Sequence, residues 1–484
     1  MSIPITGLVL IPLGALIAVL PWRYALIGLV SFAMMSAAAV VNAGNLGLPP
    51  GYYLSLLLIA RTALQVAADR FTLNAFVLSR LRLLLWFVAL VFLVLFIALC
   101  FFQTVETLPG SSGFKSGMIH VFRLARENYT QTFYLIVNLC LLYAMAHSGA
   151  RQRNQALPEM WDRAVACGLI FSVVVCIWQF ASLYGALPFP TDFFYSNAGY
   201  SRSDSQAMAG LFRINGPFEE PSALGYIFTG YVLYAWGRYR ERPTGTTVAM
   251  LAASMFCMLV STSTTAFLGL FLFFCVASFD VVTGRTRLLP RKGEMTSGFV
   301  IVLAIIALAM TACFVAAAAN WPAINVILHN TLFNKTESTS FKQRSFADTL
   351  ALQIFVETDG IGIGLGSHKA NSLLLTLLSN TGLLGALLFG AFAWSLLFWK
   401  SRPMGEARTL SNRPFQLALG GLLLLHLFSN PNLSVLNLWI FMGGLLALQA
   451  WERARFYSPL MPARPVPQTA LRAPREERPA QASV

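Results

Sequence analysis

Two short segments hold most of the residues whose types and spacing could do chemistry. The first reads Arg213-Ile-Asn-Gly216-Pro-Phe218-Glu219-Glu220-Pro221-Ser222. Proline suits the first turn of a helix and pushes the residue before it into an extended conformation. A helix is therefore expected to start at Pro221, with Glu219 and Glu220 at its mouth. Carboxylates there could serve only to complement the positive helix end. A carboxylate in such a place could also orient or deprotonate a hydroxyl, as general bases do. Arg213, in the same loop, could reach an anion. The second segment carries Lys342 and Arg344, then Glu357-Thr-Asp-Gly360-Ile-Gly362-Ile-Gly364-Leu-Gly366-Ser-His368-Lys369-Ala-Asn371-Ser372. Its four alternating glycines have no βαβ context, which excludes a dinucleotide turn. They are expected to let the backbone pass close to a ligand or a neighbouring helix. Arginine and lysine gathered just above a bilayer would clamp a lipid-linked phosphate, arginine through its fixed fork of donors.

These residues need elements to hold them. The spacing predicts a helix over Ser345–Val356, preceded by Arg344, and an amphipathic helix over Asn371–Asn380. That second helix turns into the membrane at Gly382, where Thr381-Gly382-Leu-Leu-Gly385 opens a span. The wider chain supports a membrane setting. Of its 484 residues 57% are hydrophobic and 11% charged, with a mean hydropathy of +0.65. Soluble domains carry about 25% charged residues, so a soluble fold, a disordered chain and a disulfide scaffold are excluded. The expected fold class is all-α, a polytopic integral membrane protein of twelve or thirteen spans.

The clean spans are 3–20, 25–41, 83–102, 129–147, 164–183, 222–236, 248–262, 264–282, 299–319, 383–399, 416–428 and 435–451. A weaker one, 51–67, carries Arg61. With twelve spans Met1 lies inside, with thirteen outside. The first apolar stretch lacks preceding basic residues and a small-residue cleavage site, and is read as a retained helix.

Charge sets the orientation. The segments that alternate correctly to be cytoplasmic hold 25 of the 34 Lys and Arg residues, as the positive-inside rule requires. The +14 net charge is then topological and does not indicate nucleic-acid binding. The long loops 184–221 and 320–371 fall outside, where chemistry is expected. Residues 1–457 form the membrane domain, and 458–484 a disordered cytoplasmic tail, basic enough to touch anionic lipid. All seven cysteines sit in spans, which disfavours a metal or disulfide role. Few ionisable groups lie in the spans, which disfavours ion-coupled transport. No P-loop, His-Glu-x-x-His or Gly-x-Ser-x-Gly occurs, which disfavours ATP-driven or metal-dependent work.

In this order the two segments resemble the O-antigen ligase/polymerase superfamily. The matches are Arg213, Gly216, Phe218 and Pro221, then Arg344, Gly362, Gly364, Gly366, Asn371 and Thr381–Gly385, over roughly 190–400. The ligase branch carries a His-Asn pair before the Thr-Gly-Leu-Leu-Gly helix. Here that position reads Ala370-Asn371, with His368 two residues earlier and a further pair at His329-Asn330. The Phe-Glu-Glu-Pro-Ser stretch is more similar to the polysaccharide polymerases of exopolysaccharide, O-antigen or capsule synthesis.

The resemblance implies a GT-C-like glycosyltransferase at the periplasmic face of the bacterial inner membrane. Its donor would be an undecaprenyl pyrophosphate-linked oligosaccharide, with no metal and no cofactor. Arg344 and Arg213 would bind the pyrophosphate, assisted by Lys342 and Lys369. Glu220, Glu219 and His368, in that order, are the candidate proton acceptors. Asn371, Gly364 and Gly366 would contact substrate. Apolar grooves would hold the polyprenyl tails, and Trp321, Phe341 and Tyr195 either stack on sugar rings or sit at the membrane interface. Membrane lipid and other polysaccharide assembly and export proteins are the implied partners. The alternatives are a ligase acting on a lipid or protein acceptor and a transporter or flippase of lipid-linked sugars.

Overall fold

A computed structural model describes residues 1–108, 119–152, 157–183, 185, 187–199, 207–208, 211–284, 321–322, 325, 339–398, 412–429 and 432–456. The expected span 299–319 and the tail 458–484 lie outside the described residues.

The chain is built of helices. They are α1 (Ile5–Val19), α2 (Trp22–Ala33), α3 (Pro50–Ala68), α4 (Ala75–Phe101), α5 (Arg126–Arg151), α6 (Leu157–Leu183) and the single turn α7 (Thr191–Phe194). After them come α8 (Pro221–Glu241), α9 (Gly245–Val260), α10 (Thr264–Val282), α11 (Thr339–Glu357), α12 (Leu373–Leu397), α13 (Arg413–Ser429) and α14 (Leu436–Phe456). Three two-stranded antiparallel ribbons interrupt them: β1 (Val41–Ala43) with β2 (Leu46–Leu48), β3 (Glu106–Thr107) with β4 (His120–Val121), and β5 (Ala207–Met208) with β6 (Leu211–Phe212).

Among the described residues, α3, α4, α5, α6, α10 and α12 are long and apolar enough to cross a membrane. They include the doubtful span with Arg61, whose guanidinium donates to the carbonyls of Ala18 and Leu20 at 2.9 and 2.6 Å. Their outward faces carry Trp86, Phe92 and Phe96 on α4, Ile170 and Val174 on α6, and Leu383, Leu384 and Leu387 on α12, all exposed. So wide an apolar surface is stable against lipid and not against water. The chain is an all-α polytopic membrane protein.

Local signals set the helix starts. Asn74 caps α4, accepting from the backbone N–H groups of Phe76 and Val77. Ser263 caps α10 and Ser372 caps α12, and Pro50 and Pro221 open α3 and α8. Each satisfies a backbone donor that would otherwise be orphaned, or removes it. In the interior, the most extensive helix contacts are α14 on α5 and α13 on α8.

One expected span differs. Residues 25–41 read as a continuous helix, but α2 stops at Ala33. Beyond it other parts of the chain take the backbone: Ala37 N–H reaches Pro217 O, Ala39 N–H reaches Ser196 Oγ at 3.0 Å, and Val40 N–H reaches Leu48 O at 2.9 Å. Tertiary partners thus replace the helical ladder, and they bring Ser36 beside the 213–221 segment.

The bend expected at Gly382 is present. Within α12, Gly382 has φ +67° and ψ −174° and breaks the helix into two pieces. The helix expected over Ser345–Val356 extends to Thr339–Glu357, so Lys342 and Arg344 sit on α11 rather than ahead of it.

Candidate functional site

The 213–221 segment is held by one buried side chain. Gln179 of α6 accepts from the N–H groups of Asn215 and Gly216, at 3.2 and 2.7 Å, and donates to Asn215 Oδ1 at 2.6 Å. Tyr195 donates to Gly216 O at 2.6 Å. Tyr195 therefore serves the loop's geometry from the interior and is not free to stack on a sugar. Asn215 closes the turn by donating to Phe218 O at 2.9 Å, and the fully buried Phe218 packs edge-on against Phe228.

This turn sets the two glutamates in opposite directions. Glu220 is extended (φ −145°, ψ 152°) and caps α8 with no side-chain hydrogen bond to the helix backbone. It faces out, where its carboxylate accepts from Ser222 Oγ at 3.0 Å. Glu219 faces the other way, into the protein, and accepts from Ser36 Oγ. Glu219, not Glu220, is thus the inward carboxylate. The burial of its carboxyl raises its pKa above the usual carboxylate range, while the Ser36 hydrogen bond and the positive charge of Lys369 pull it back. Lys369 comes from the second segment, so the two segments meet here.

The second segment is threaded through the helices by its glycines. Residues 360, 362, 364 and 366 all have φ between +77° and +92°, the left-handed region that side chains rarely adopt. At Gly366 a Cβ would lie 2.5 Å from the carbonyl oxygen of Glu127, and at Gly382 one would lie 2.2 Å from Gly360 O. The run docks into the kink of α12: Ile363 N–H donates to Ser379 O, Gly364 N–H to Asn380 O, and Leu383 N–H to Gly360 O, at 2.8–3.0 Å. Asn128 of α5 secures the far side, donating to Leu365 O and Ser367 Oγ. Gly364 accordingly abuts Leu95 of α4 and leaves a substrate no room. The close approach is to neighbouring helices, although Gly366 also borders a cavity.

His368 does not fit the role of proton acceptor. Its ring is buried; Nδ1 accepts from Leu108 N–H at 3.3 Å and Nε2 donates to Ala347 O at 3.0 Å. Both nitrogens are committed to backbone, and burial drives the pKa down to about 4. His368 is a neutral staple between α11 and the chain just beyond β3. Asn371 is likewise structural: its N–H donates to Asp348 Oδ1 at 2.7 Å, and its side chain donates to Phe428 O at 3.1 Å.

Two cavities meet at this junction. One is lined by residues that include Ser36, Tyr52, Tyr134, Glu219, Tyr226 and Asn432, the other by residues that include Glu127, Gly366, His368, Lys369, Thr376 and Asn432. Asn432 is common to both. Each holds about 50 Å³, room for a water or two at ~30 Å³ apiece. In the walls, the Tyr226 hydroxyl and Thr376 Oγ1 are buried and have no hydrogen-bond partner among the described residues.

The remaining cations lie off this centre: Arg213, Arg344 and Lys342 border neither cavity. Burial lowers the pKa of Arg213, and the negative charge of Glu220 opposes that shift. Arg344 lies on α11 one turn before Asp348; burial raises the pKa of the Asp348 carboxyl, and the backbone N–H groups of Asn371 and Ser372 and then the charge of Arg344 oppose that shift. Lys342 is exposed. Trp321 and Phe341 are exposed. The spacing gave no sign of Ser36, Tyr226, Thr376 or Asn432; the first three lie in apolar runs that read as span or amphipathic helix. Among the described residues no group of His, Cys, Asp and Glu could hold a metal.

Compared with known proteins, the chain matches no family model and no curated sequence.

Proposed function

We propose that the protein is a membrane glycosyltransferase that polymerises lipid-linked oligosaccharide repeat units at the outer face of a bacterial inner membrane. The observation that carries this reading is the meeting of Glu219 and Lys369, from segments far apart in the chain, across two adjoining cavities. A carboxyl raised toward neutral pH is suited to take a proton. A cation held nearby is suited to a leaving diphosphate.

In the reaction, an acceptor sugar hydroxyl attacks the anomeric carbon of the donor glycan. A new C–O bond forms, and the bond to undecaprenyl pyrophosphate breaks with its electron pair going to the phosphate. The hydroxyl proton passes to Glu219. Lys369 and Arg213 balance the charge that develops on the diphosphate. Arg344 and Lys342 on α11 receive the diphosphate at the site's approach. Tyr226 and Thr376 supply hydrogen bonds to sugar hydroxyls.

A deletion strain tests the reading, complemented with wild-type protein or with Glu219→Gln. Loss of long polymer while single repeat units are still made and exported supports a polymerase. Accumulated full-length lipid-linked polymer indicates a ligase, and inward-facing lipid-linked repeats a flippase. Normal polymer in the absence of the protein would end the proposal.

A further inference from the structure

The end of α5 remote from Glu219 carries a second constellation, independent of the glycan reading. Glu127 borders the candidate site and Arg151 closes the same helix. At ~1.5 Å per residue these ends lie roughly 36 Å apart, more than the ~30 Å hydrocarbon core of a bilayer. The two ends therefore belong to opposite membrane faces. At the Arg151 end is a cavity of about 410 Å³, within the ~300–1,000 Å³ range of small-molecule sites.

Its walls include Asp69, Asn74, Phe76, His147, Arg151 and Arg453. His147 is 7% exposed. Its ring stacks on Tyr143 and its Nε2 has no hydrogen-bond partner. Arg151 is paired with Asp69. The Arg453 guanidinium lies 4.9 Å over the Phe76 ring, and no carboxylate among the described residues pairs with it. Asn74 marks the N-terminus of the 27-residue helix α4 at the same wall, the positive end of the helix dipole. A cation and a buried imidazole nitrogen thus line one cavity, beside the positive end of a helix whose N–H groups at Phe76 and Val77 are already capped by Asn74, with Asp69 already offset by Arg151. The exposed rim carries Asp69, Thr72, Leu73, Arg151 and Arg453, mostly polar groups with two arginines among them.

We propose that this cavity binds a phosphate group, and that its place at a membrane face favours one carried by an anionic phospholipid of that leaflet over one in free solution. The purified full chain, in phosphatidylcholine nanodiscs, would be titrated with phosphatidylglycerol and separately with inorganic phosphate at constant ionic strength, following thermal unfolding. The expected result is a saturable rise in unfolding temperature. A response to phosphatidylglycerol alone identifies the lipid as the source, and a response to phosphate as well identifies the bare anion as sufficient. Removing one charge-assisted hydrogen bond is worth about tenfold in affinity or more. Arg453→Gln, on the exposed rim, should therefore shift the midpoint by at least about tenfold, and His147→Gln should also weaken it. No response to either probe, or wild-type midpoints in Arg453→Gln, would overturn the site.

Discussion

Glu219 and Glu220 are adjacent and chemically alike, yet they face opposite ways. In an extended backbone successive side chains alternate sides, and proline at 221 enforces extension at Glu220. The chain's local pattern therefore says that one glutamate points in and one out, but not which. That choice is made by Ser36, which lies in a run that reads as membrane span. The raised pKa of Glu219 gives the pH dependence its sign. As a base it works only when ionised, so polymerisation should fall as pH drops through that raised pKa. The acid limb should lie above the usual carboxylate range, and Glu219→Gln should lose about 10²–10⁴-fold in rate. Lys369 lowers the Glu219 pKa, so in Lys369→Ala the residual activity should have its acid limb at higher pH. A pH–rate profile of both variants with lipid-linked repeats in vitro measures this; an unmoved limb would separate the two residues. Stability should run the other way from activity. Between the unfolded and folded pKa values the folded state binds more protons, so stability declines as pH rises through that window. Above it, Glu219→Gln should unfold at a higher temperature than the wild type while remaining inactive.

The elements that were legible are those with local punctuation. Pro221 announced the start of α8, Gly382 announced the bend in α12, and the 345–356 periodicity announced α11, although its first turn lies further upstream. What could not be read were boundaries decided by distant partners. α2 ends at Ala33 because Pro217, Ser196 and Leu48 take over the backbone after it. His368 is sealed because Leu108 and Ala347 flank it. The glycine run looked like a ligand loop and is instead the seam between the α12 kink, α4 and α5. Gly382 is the point on which that seam turns. Gly382→Ala would force a side chain into a backbone conformation (φ +67°, ψ −174°) that glycine alone adopts readily, costing about 1–3 kcal/mol, and would set a Cβ against Gly360 O. The loss of stability should exceed the backbone cost alone, and Lys369 should lose its register with Glu219. Denaturant unfolding and polymer length, measured on one preparation, should both decline. Wild-type values in both would mean that the kink does not position the site.

At the scale of the molecule, helices that run from the candidate site to a basic end give the protein a polarity. α5 leads from Glu127 to Arg151, and α8 from the Glu219–Glu220 pair to Arg238 and Arg240 in its last turn. At that end of α8, Arg238 pairs with Asp162 and Glu241, and Arg240 pairs with the buried Asp280 at 2.7 Å. These acids account for two of the arginines as structural partners, so the count of basic residues overstates the charge that faces lipid. The positive-inside rule counts Lys and Arg regardless of pairing, and it predicts the Arg238 end in the cytoplasm and Glu219 outside. A glycan polymerase working on exported repeats requires that orientation; the opposite one would leave Glu219 and Lys369 with no substrate. Gln103, just beyond α4, and Arg242, just beyond α8, are exposed at opposite ends of the bundle. Gln103→Cys should therefore react with a membrane-impermeant maleimide in intact spheroplasts, and Arg242→Cys only after permeabilisation, each read against the parent protein with its native cysteines. Reversal of that pattern would turn the site toward the cytosol, where flipped lipid-linked repeats are absent.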